Sequence, residues 1–527
     1  MGNRQIRAIS FWLVIMASGP ALTEEAATST IPAWAAEASM TGAPAADTAF
    51  AEALDKALFA APADLSDFEK SERNALTEFY HARQGAPVWV ADTGLNAKGL
   101  TLVSEIKNAN DWGLDAKDFT LPALAGTAGA ADATPDGRAE AEVTLSLAVL
   151  KYARHARGGR IMDPAESLNS NLDRKPQLLE PRAILDGIAL ADAPDAYLKS
   201  LHPKHPQFEK LRQVYLAAKT GATLNVTAKR LRANMEEWRW MPDNMGDVYV
   251  FNNIPEFMQY VYKDGQIVRS EKIVAGRVDK QSSIFSRPLK HVVLRPMWRV
   301  PESIKVNELW PSLLRGGGLM REFGLQLETK DGKPLDYHSI DWKKADIRNY
   351  EVTQPPGGKS VLGVVKFSFP SQHTIYMHDT PDRWMFRPDQ RTLSHGCLRV
   401  KNPVELAEII LQEDKGWDKA KVAALIRSGP LNNEVAMEKR IPIHLVYFTA
   451  WVDQGGKLKT FYDVYGHEKR IIQALDGQWD KINKGRDHLA PVQPNFKPSQ
   501  MPVAERERRP KEASVGETLS GAFGIGF

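Results

Sequence analysis

The sequence predicts an α+β protein whose N-terminal half is helical and whose C-terminal half is mainly β. Two observations lead to this fold class. Apolar residues recur at spacings near three and four across residues 47–205, which is the period of an amphipathic helix. After Trp240 the period changes to two, the period of a half-buried strand. We therefore expect a helical domain followed by a β domain.

The helical domain is predicted over residues 47–205. Residues 141–156 are apolar on almost every side, so this segment is expected to be the central helix. Residues 123–137 are rich in Ala, Gly and Thr and are expected to form a loop. A connecting helix is predicted within residues 206–245, because Leu231, Met235 and Trp238 fall on one side of it.

The β domain is predicted over residues 246–470. Asp264 and Gly265 form a preferred tight-turn pair between two alternating runs, which indicates a hairpin. Asn402 is expected to cap a helix that begins at Pro403. Strands are expected at residues 248–251, 258–262, 267–274, 291–294, 364–369, 374–377, 441–451 and 458–465.

Residues 301–361 interrupt the β pattern. This insertion contains glycine runs at residues 316–318 and 357–358. It lies just before the segments that contain His378 and Cys397. One interpretation is that the insertion is a lid and that the glycines are its flexible joints. Trp310 or Trp342 would then either contact a ligand or pack in the lid's own core. The alternative is a surface insertion without a role in function.

Cys397 is the only cysteine in the chain, so any use it has must be as a thiol. His395 and His378 lie near it in sequence, and an imidazole can lower the pKa of a thiol that acts as a nucleophile. Gly396 removes a Cβ beside the thiol, so the N–H groups of Gly396 and Cys397 can face a developing oxyanion. The alternative is a small buried apolar residue. This local pattern favours a catalytic thiol.

The motif resembles that of the L,D-transpeptidases of the YkuD type. The match comprises His378, a spacer of residues 379–393, and Ser394-His395-Gly396-Cys397-Leu398-Arg399. Segments 253–257, 366–370 and 442–447 resemble the larger periplasmic branch of that family. The resemblance implies a helical scaffold domain before a mainly-β YkuD-like catalytic domain, and it favours a lid or capping subdomain at residues 301–361.

The resemblance also implies a substrate and a product. A tetrapeptide stem of peptidoglycan would be cut before its terminal D-alanine, and a side-chain amine of another stem would complete a 3→3 cross-link through a cysteine thioester. The acceptor could equally be an outer-membrane protein amine or a free D-amino acid. Carbapenems are expected to acylate Cys397. Residues 206–244 leave little room for a peptidoglycan-binding module.

Within this scheme each motif residue has an expected role. His378 is expected to be the acid and base, while His395 is expected to orient the site, because adjacent side chains on an extended chain point to opposite faces. Ser394 is expected to fix the loop. Arg399 is expected to hold a substrate carboxylate or to form a structural ion pair. Tyr376 is expected either to line the pocket or to pack.

Two other functions remain open. Ser104-Glu-Ile-Lys107, Ser167-Leu-Asn169 and Lys219-Thr-Gly221 reproduce the motifs of serine-type penicillin-binding enzymes, although Lys219 follows a helical run where those enzymes require a strand. A periplasmic scaffold protein with a degenerate site is the other alternative. The presence of both His378 and Cys397 argues against it.

The N-terminus predicts export to the periplasm. Arg4 and Arg7 precede a short apolar run, so residues 1–35 are expected to form a signal peptide, with an uncleaved anchor as the alternative. No membrane span is expected in the mature chain. The net charge of +3 is spread along the chain, so we expect no nucleic-acid partner, and we expect no cofactor and no metal. Residues 476–527 are expected to be a disordered tail.

Overall fold

The computed structural model describes residues 48–123, 134–219 and 224–497. The predicted signal peptide and residues 498–527 of the predicted tail lie outside the described residues, as do residues 124–133 of the predicted loop. The helical region comprises α1 (Thr48–Phe59), α2 (Asp67–Ala82), the short strands β1 (Val90–Ala91) and β2 (Gly94–Leu95), α3 (Ala97–Lys107), α4 (Pro135–Gly158), α5 (Pro164–Ser167), α6 (Pro181–Leu190), α7 (Pro194–Ser200), α8 (Pro206–Ala218) and α9 (Val226–Arg239).

Helix α4 is the centre of the helical domain, as the apolar run predicts. Thr134 caps its N-terminus and Pro135 occupies the first turn, where a missing N–H costs nothing. Its buried Leu145, Val149 and Tyr152 join one core with side chains of α1, α2, α3, α6 and α7. The core also contains the buried Glu142 carboxylate, which is satisfied because it accepts the N–H groups of residues 88–90.

Helices α8 and α9 join the helical domain to the sheet. They pack on each other and share a core with the sheet through Phe208, Leu231, Trp238 and Phe251. The Gln207 side chain also bonds both backbone groups of Val452. The predicted connecting helix is therefore a pair of helices that is fixed to the β domain.

The β domain contains one large sheet and the insertion. Its strands are β3 (Val248–Asn253), β4 (Met258–Lys263), β5 (Gln266–Gly276), β6 (Ser286–Pro288), β7 (His291–Leu294), β8 (Trp298–Arg299), β9 (Gln326–Thr329), β10 (Pro334–Leu335), β11 (Tyr350–Gln354), β12 (Val365–Ser368), β13 (Met377–His378), β14 (Thr392–Ser394), β15 (Leu398–Val400), β16 (Asn433–Ala436), β17 (Pro442–Val446), β18 (Ala450–Val452) and β19 (Leu458–Thr460). Its helices are α10 (Glu302–Ile304), α11 (Trp310–Leu314), α12 (Gly318–Glu322), α13 (Pro403–Lys415), α14 (Lys419–Ser428) and α15 (His467–Leu475).

The large sheet runs β16-β7-β12-β13-β15-β5-β4-β3-β17-β6, with β14 beside β5. Most neighbours are antiparallel, but three pairs are parallel, namely β13 with β15, β17 with β3 and β14 with β5. Strand β13 begins three residues later than expected, because Thr374 has a left-handed φ of 53° that interrupts the extended backbone. Asn402 also has a left-handed φ, and its side chain bonds Glu271 instead of capping α13.

The insertion forms a small subdomain with its own sheet, in the order β10-β9-β11-β8. Trp310 and Trp342 are both buried in its core, and the Trp310 indole donates to the Trp342 carbonyl at 2.9 Å. Of the two expected roles for these tryptophans, the structure supports the anchoring one. Of the glycine run 316–318, the first two residues lie between α11 and α12, inside the subdomain, and Gly318 begins α12.

Residues 476–497, the described part of the predicted tail, make contacts with the insertion. After α15 the chain returns to the insertion, where the Asn495 N–H donates to the Asn307 side chain at 3.1 Å. The Phe496 ring meets Trp310 edge-on at 5.5 Å between ring centroids. The disordered tail predicted from residue 476 onward stays a prediction, and residues 476–497 make these contacts within it. Within the described ranges, every helix is too short or too polar to cross a bilayer.

Candidate functional site

The two halves of the sequence motif lie on neighbouring parallel strands. His378 on β13 pairs with Arg399 on β15, and Cys397 directly precedes β15. Across β12, Lys366 pairs with His378. Since side chains two apart on a strand share a face, Cys397 and Arg399 project to one side of the sheet together with Tyr376 and His378. The sheet thereby brings the thiol and the imidazole to one surface.

That surface is the floor of a cavity of about 1290 Å³ between the sheet and the insertion. Its wall includes side chains from the insertion, from the loop that follows β5 and from residues 476–497, called the C-terminal segment below. The residues of interest that line it are Lys366, Tyr376, His378, Ser394, His395, Gly396, Cys397 and Arg399. All seven residues singled out from the sequence therefore border the same space.

The motif loop, residues 394–397, has a backbone conformation that requires glycine at position 396. Gly396 has a φ of 114°, which L side chains rarely adopt, and an added Cβ would approach the Gln281 carbonyl at 3.3 Å. Ser394 Oγ donates to the Cys397 carbonyl at 2.6 Å and accepts the Gly396 N–H at 3.2 Å. Ser394 Oγ therefore bridges two backbone groups of this loop.

Ser282 fixes the orientation of the peptide that precedes Cys397. Its Oγ donates to the Gly396 carbonyl at 2.6 Å and accepts the Gly276 N–H at 3.0 Å. In a trans peptide the carbonyl and the next N–H point in opposite directions. With its carbonyl held by Ser282, the Gly396–Cys397 peptide points its Cys397 N–H away from Ser282. Ser282 therefore fixes the direction of this N–H group.

His378 is held as a neutral imidazole with one defined tautomer. Its Nδ1 lies 2.5 Å from the Asp379 carbonyl oxygen, which can only accept, so Nδ1 carries the proton. Nε2 therefore keeps a free lone pair. Burial lowers the pKa of His378 to about 3, and the charge of Arg399 acts in the same direction. Nε2 can accept a second proton, but the ring does not carry one near neutral pH.

The thiol of Cys397 also rests in its neutral form. Burial raises the pKa of Cys397, while hydrogen bonding to Tyr376 and the charge of Lys366 oppose the rise. The Lys366 ammonium lies 4.4 Å from the centre of the Tyr376 ring, and burial lowers the pKa of this lysine. Tyr376 both lines the cavity and packs against the insertion.

Arg399 is buried beneath the cavity. Its Nη1 lies 3.5 Å from the Asp382 carboxylate and also contacts the Met385 sulfur. Burial lowers the pKa of this guanidinium. The structure thus contains the ion pair that was one of the two expectations for Arg399, while its position on the cavity lining keeps the carboxylate role open as a proposal.

His395 connects the motif loop to the insertion. Its Nε2 lies 2.7 Å from the Glu308 carboxylate, and both side chains are largely buried. This pair stands between the main cavity, which His395 lines, and a second cavity, which Glu308 lines. The orienting role expected for His395 is consistent with this contact.

The C-terminal segment closes one end of the main cavity. His488 Nε2 lies 2.6 Å from His373 Nδ1, and His373 Nε2 lies 2.9 Å from Asp173. On its other side His488 contacts the Ser170 hydroxyl at 3.0 Å. These contacts join the segment to the sheet and to the loop after α5. Burial lowers the pKa of His488 to about 4, so the network rests with this ring neutral.

The motifs of the serine-type alternative are not assembled. Ser104 is exposed on α3, the Asn169 amide donates to the Lys484 carbonyl at 2.7 Å, and Lys219 pairs with Asp111. Thr220 and Gly221 lie outside the described residues. The cavity that Cys397 lines contains Asn169 but neither Ser104 nor Lys219.

Three residues of the site were missed from the sequence: Ser282, Glu308 and Lys366. Ser282 and Glu308 act across large sequence separations, and no spacing rule connects them to Cys397. Lys366 lies in a segment that carries the family resemblance, and its pairing opposite His378 would have followed from a correct register of β12 and β13. Among the described residues, no group of His, Cys, Asp or Glu is arranged as a metal site.

Fold and site together define a class: an α+β protein in which a mainly-β domain presents a thiol and a neutral imidazole in one covered cavity. Comparison with family models identifies the domains. Residues 247–422 match the L,D-transpeptidase catalytic domain of the YkuD family, and residues 74–214 match the Scaffold domain. The chain therefore contains a YkuD L,D-transpeptidase catalytic domain preceded by a Scaffold domain.

One curated relative is a Haemophilus influenzae protein named "Putative L,D-transpeptidase". It is 31% identical over 266 residues, which is 50% of this chain and 53% of the relative. This chain thus spans about half the length of the curated relative that it matches.

Solved structures with similarity include an L,D-transpeptidase from Mycobacterium smegmatis, with 12% identity, a TM-score of 0.18, and coverage of 38% of this chain and 58% of that one. Another is the catalytic domain of an E. faecium L,D-transpeptidase acylated by ertapenem, with 13% identity, a TM-score of 0.18, and coverage of 38% of this chain and 99% of that one.

Proposed function

We propose that this protein is a peptidoglycan L,D-transpeptidase that forms 3→3 cross-links between stem peptides through a thioester on Cys397. The observation that carries the proposal is the pairing of β13 with β15, because it presents the only thiol of the chain beside an imidazole of fixed tautomer. The match of residues 247–422 to the L,D-transpeptidase catalytic domain supports the substrate class.

In the first half of the reaction Cys397 attacks the carbonyl of the peptide bond that precedes the terminal D-alanine. Nε2 of His378 takes the thiol proton as the C–S bond forms. Because both groups rest neutral, this transfer must accompany the approach of substrate, and the Tyr376 hydrogen bond and the Lys366 charge stabilise the thiolate. The Cys397 N–H donates to the oxyanion. His378 then protonates the departing amine of D-alanine, and a thioester remains.

In the second half an amine of another stem attacks the thioester. The C–N bond forms, the C–S bond breaks, and the amine proton passes through His378 to the Cys397 sulfur. Water is the competing nucleophile. The insertion and the C-terminal segment cover the cavity, and we propose that this cover limits access of water to the thioester.

Roles for the remaining residues follow from their contacts. Ser394 and Gly396 hold the loop, and His395 positions the insertion through Glu308. Arg399 is proposed to bind a carboxylate of the donor stem from below the cavity. This chemistry requires peptidoglycan, so we propose a periplasmic location. The same chemistry with an outer-membrane protein amine or a free D-amino acid as acceptor is the second candidate, since the thioester itself does not select among amines.

The proposal is tested with purified protein and a tetrapeptide stem. Cys397→Ala should abolish release of D-alanine and formation of cross-linked dimers, and mass spectrometry of the wild-type protein should reveal a stem bound to Cys397. Ser104→Ala is the matched control, because the serine-type alternative requires its hydroxyl. Cross-linking by the Cys397→Ala variant, or loss of activity in the Ser104→Ala variant alone, would contradict the proposal.

A further inference from the structure

A second cavity of about 670 Å³ lies beside the main cavity, on the other side of the His395–Glu308 pair. It is bounded by the loop after β5, by α11 and α12 of the insertion, and by the C-terminal segment. Its volume falls in the range of sites that enclose small ligands. The two cavities share a rim, formed by Asp279, Lys280, Asn307 and Arg486. A bound chain in the second cavity can therefore extend into the first.

The second cavity is suited to anions. Four cationic and three acidic side chains line it: Arg277, Lys280, Arg315, Arg486, Asp279, Glu308 and Glu322. Two of the acidic side chains are already engaged, since Asp279 pairs with Arg277 and Glu308 contacts His395. Outside these contacts, three cationic side chains, Lys280, Arg315 and Arg486, line the cavity with the single carboxyl of Glu322, whose pKa is raised by burial. The remaining charge of the lining is positive, and the amides of Asn307, Gln493 and Asn495 add hydrogen-bonding groups.

One acidic group also provides a place for a cationic nitrogen. Glu308 directs Oε1 to His395, but its Oε2 is buried and has no hydrogen-bond partner among the described residues. A buried carboxylate oxygen without a donor is unfavourable, so it would gain from an incoming N–H group. A small rotation of this side chain would expose Oε2 to the cavity that Glu308 lines. The wall between the cavities thus offers an acceptor for an ammonium group.

We propose that the second cavity binds the acceptor substrate of the transfer reaction, a short peptide that carries both carboxylates and a primary amine. The cationic side chains of the lining bind the carboxylates, and Glu308 receives the amine before it passes over the shared rim to the thioester. This inference rests on the proposed function. The donor stem, by contrast, occupies the main cavity because its carbonyl must lie on Cys397. Separate cavities keep the two reactants from competing for one site.

The test separates the two half-reactions. A tetrapeptide stem is the donor, and the acceptor probe is a stem tripeptide that ends in the diamino acid, which has the amine but lacks the scissile bond. Arg315→Glu should raise the KM for the tripeptide roughly tenfold or more, because it replaces an attraction for carboxylate with a repulsion. Glu308→Gln keeps a side chain able to bond His395 but removes the charge, and it should also raise this KM.

The matched control is Lys343→Glu, which makes the same charge change on an exposed part of the insertion away from the cavity. It should leave the KM unchanged. The rate of acylation of Cys397 by the donor reports whether each variant is folded and whether its main cavity is intact. A tripeptide with its side-chain amine acetylated should compete with the acceptor only weakly if Glu308 receives the ammonium.

The outcomes are distinct. An unchanged acceptor KM in both Arg315→Glu and Glu308→Gln, with normal acylation, would overturn the acceptor site and leave the proposed function intact. An equal rise in the Lys343→Glu control would also overturn it, because a general charge effect would then suffice. Failure of wild-type Cys397 to become acylated would instead refute the proposed function.

Discussion

Removal of the Ser282 hydroxyl tests whether a fixed peptide supplies the oxyanion donor. In Ser282→Ala the Gly396 carbonyl and the Gly276 N–H each lose the partner that holds them at 2.6 Å and 3.0 Å. A buried backbone group without a partner costs about 1–3 kcal/mol, so the two together should lower the free energy of unfolding by roughly 2–6 kcal/mol. The Gly396–Cys397 peptide would then be free to rotate.

Rotation of that peptide turns the Cys397 N–H away from the developing oxyanion. Complete loss of one such donor costs a factor of about 10²–10³ in rate, and partial misorientation should cost roughly tenfold or more. The assay is the time course of Cys397 acylation by a carbapenem, followed by intact-protein mass spectrometry. Thermal unfolding of the same samples reports the stability.

Ser283→Ala is the matched control for this variant. Ser283 is the next residue and is equally buried, but its hydroxyl donates to the Asn171 side chain at 2.9 Å and does not contact the motif loop. It should lose stability without a matching loss of acylation rate. If Ser282→Ala is destabilised as expected yet acylates at the wild-type rate, the oxyanion reasoning is wrong.

Three further predictions concern the site, the insertion and the core. A carbapenem should form a stable adduct that peptide mapping places on Cys397, and an adduct elsewhere would contradict the site. Replacing residues 301–361 with a tight connector should shift products from dimers to hydrolysed stems, and an unchanged ratio in a folded variant would refute the lid. His467 is buried with a pKa lowered to about 3, and neither ring nitrogen has a hydrogen bond among the described residues. Because the unfolded chain binds this proton near pH 6.5, stability is lost as pH falls below that value, by about 2 kcal/mol at pH 5. His467→Leu should remove that share of the change in unfolding free energy between pH 7 and pH 5, and an identical pH dependence in both proteins would contradict it.

The fold was predictable where a local period decides the structure. The apolar run at 141–156 became the central helix α4, and the alternation at 291–294 became β7 with the same bounds. The expected strand at 374–377 is shorter in the structure, and Thr374 has a left-handed φ there. A polar residue fits the alternation whatever its φ, so the pattern could not predict this conformation. Period analysis detects burial on one face but not a single backbone dihedral.

The packing of residues 476–497 shows a different limit. This segment is polar and rich in proline, and composition alone predicts disorder. Its contacts are with partners far away in sequence, such as Asn307 and Trp310. Contacts of this kind, like that between Glu308 and His395, are set by tertiary structure. The motif around Cys397 was visible because its residues are close in sequence, and the residues that orient it were not.

The neutral resting state of Cys397 has a consequence for the lifetime of the protein. Peroxides and disulfides react with the thiolate, and burial raises the pKa of this thiol, so oxidation should be slow while the cavity is empty. The chain has no second cysteine that could capture a sulfenic acid as an internal disulfide. Damage at this sulfur would therefore be infrequent, but its repair would depend entirely on a thiol small enough to enter beneath the insertion.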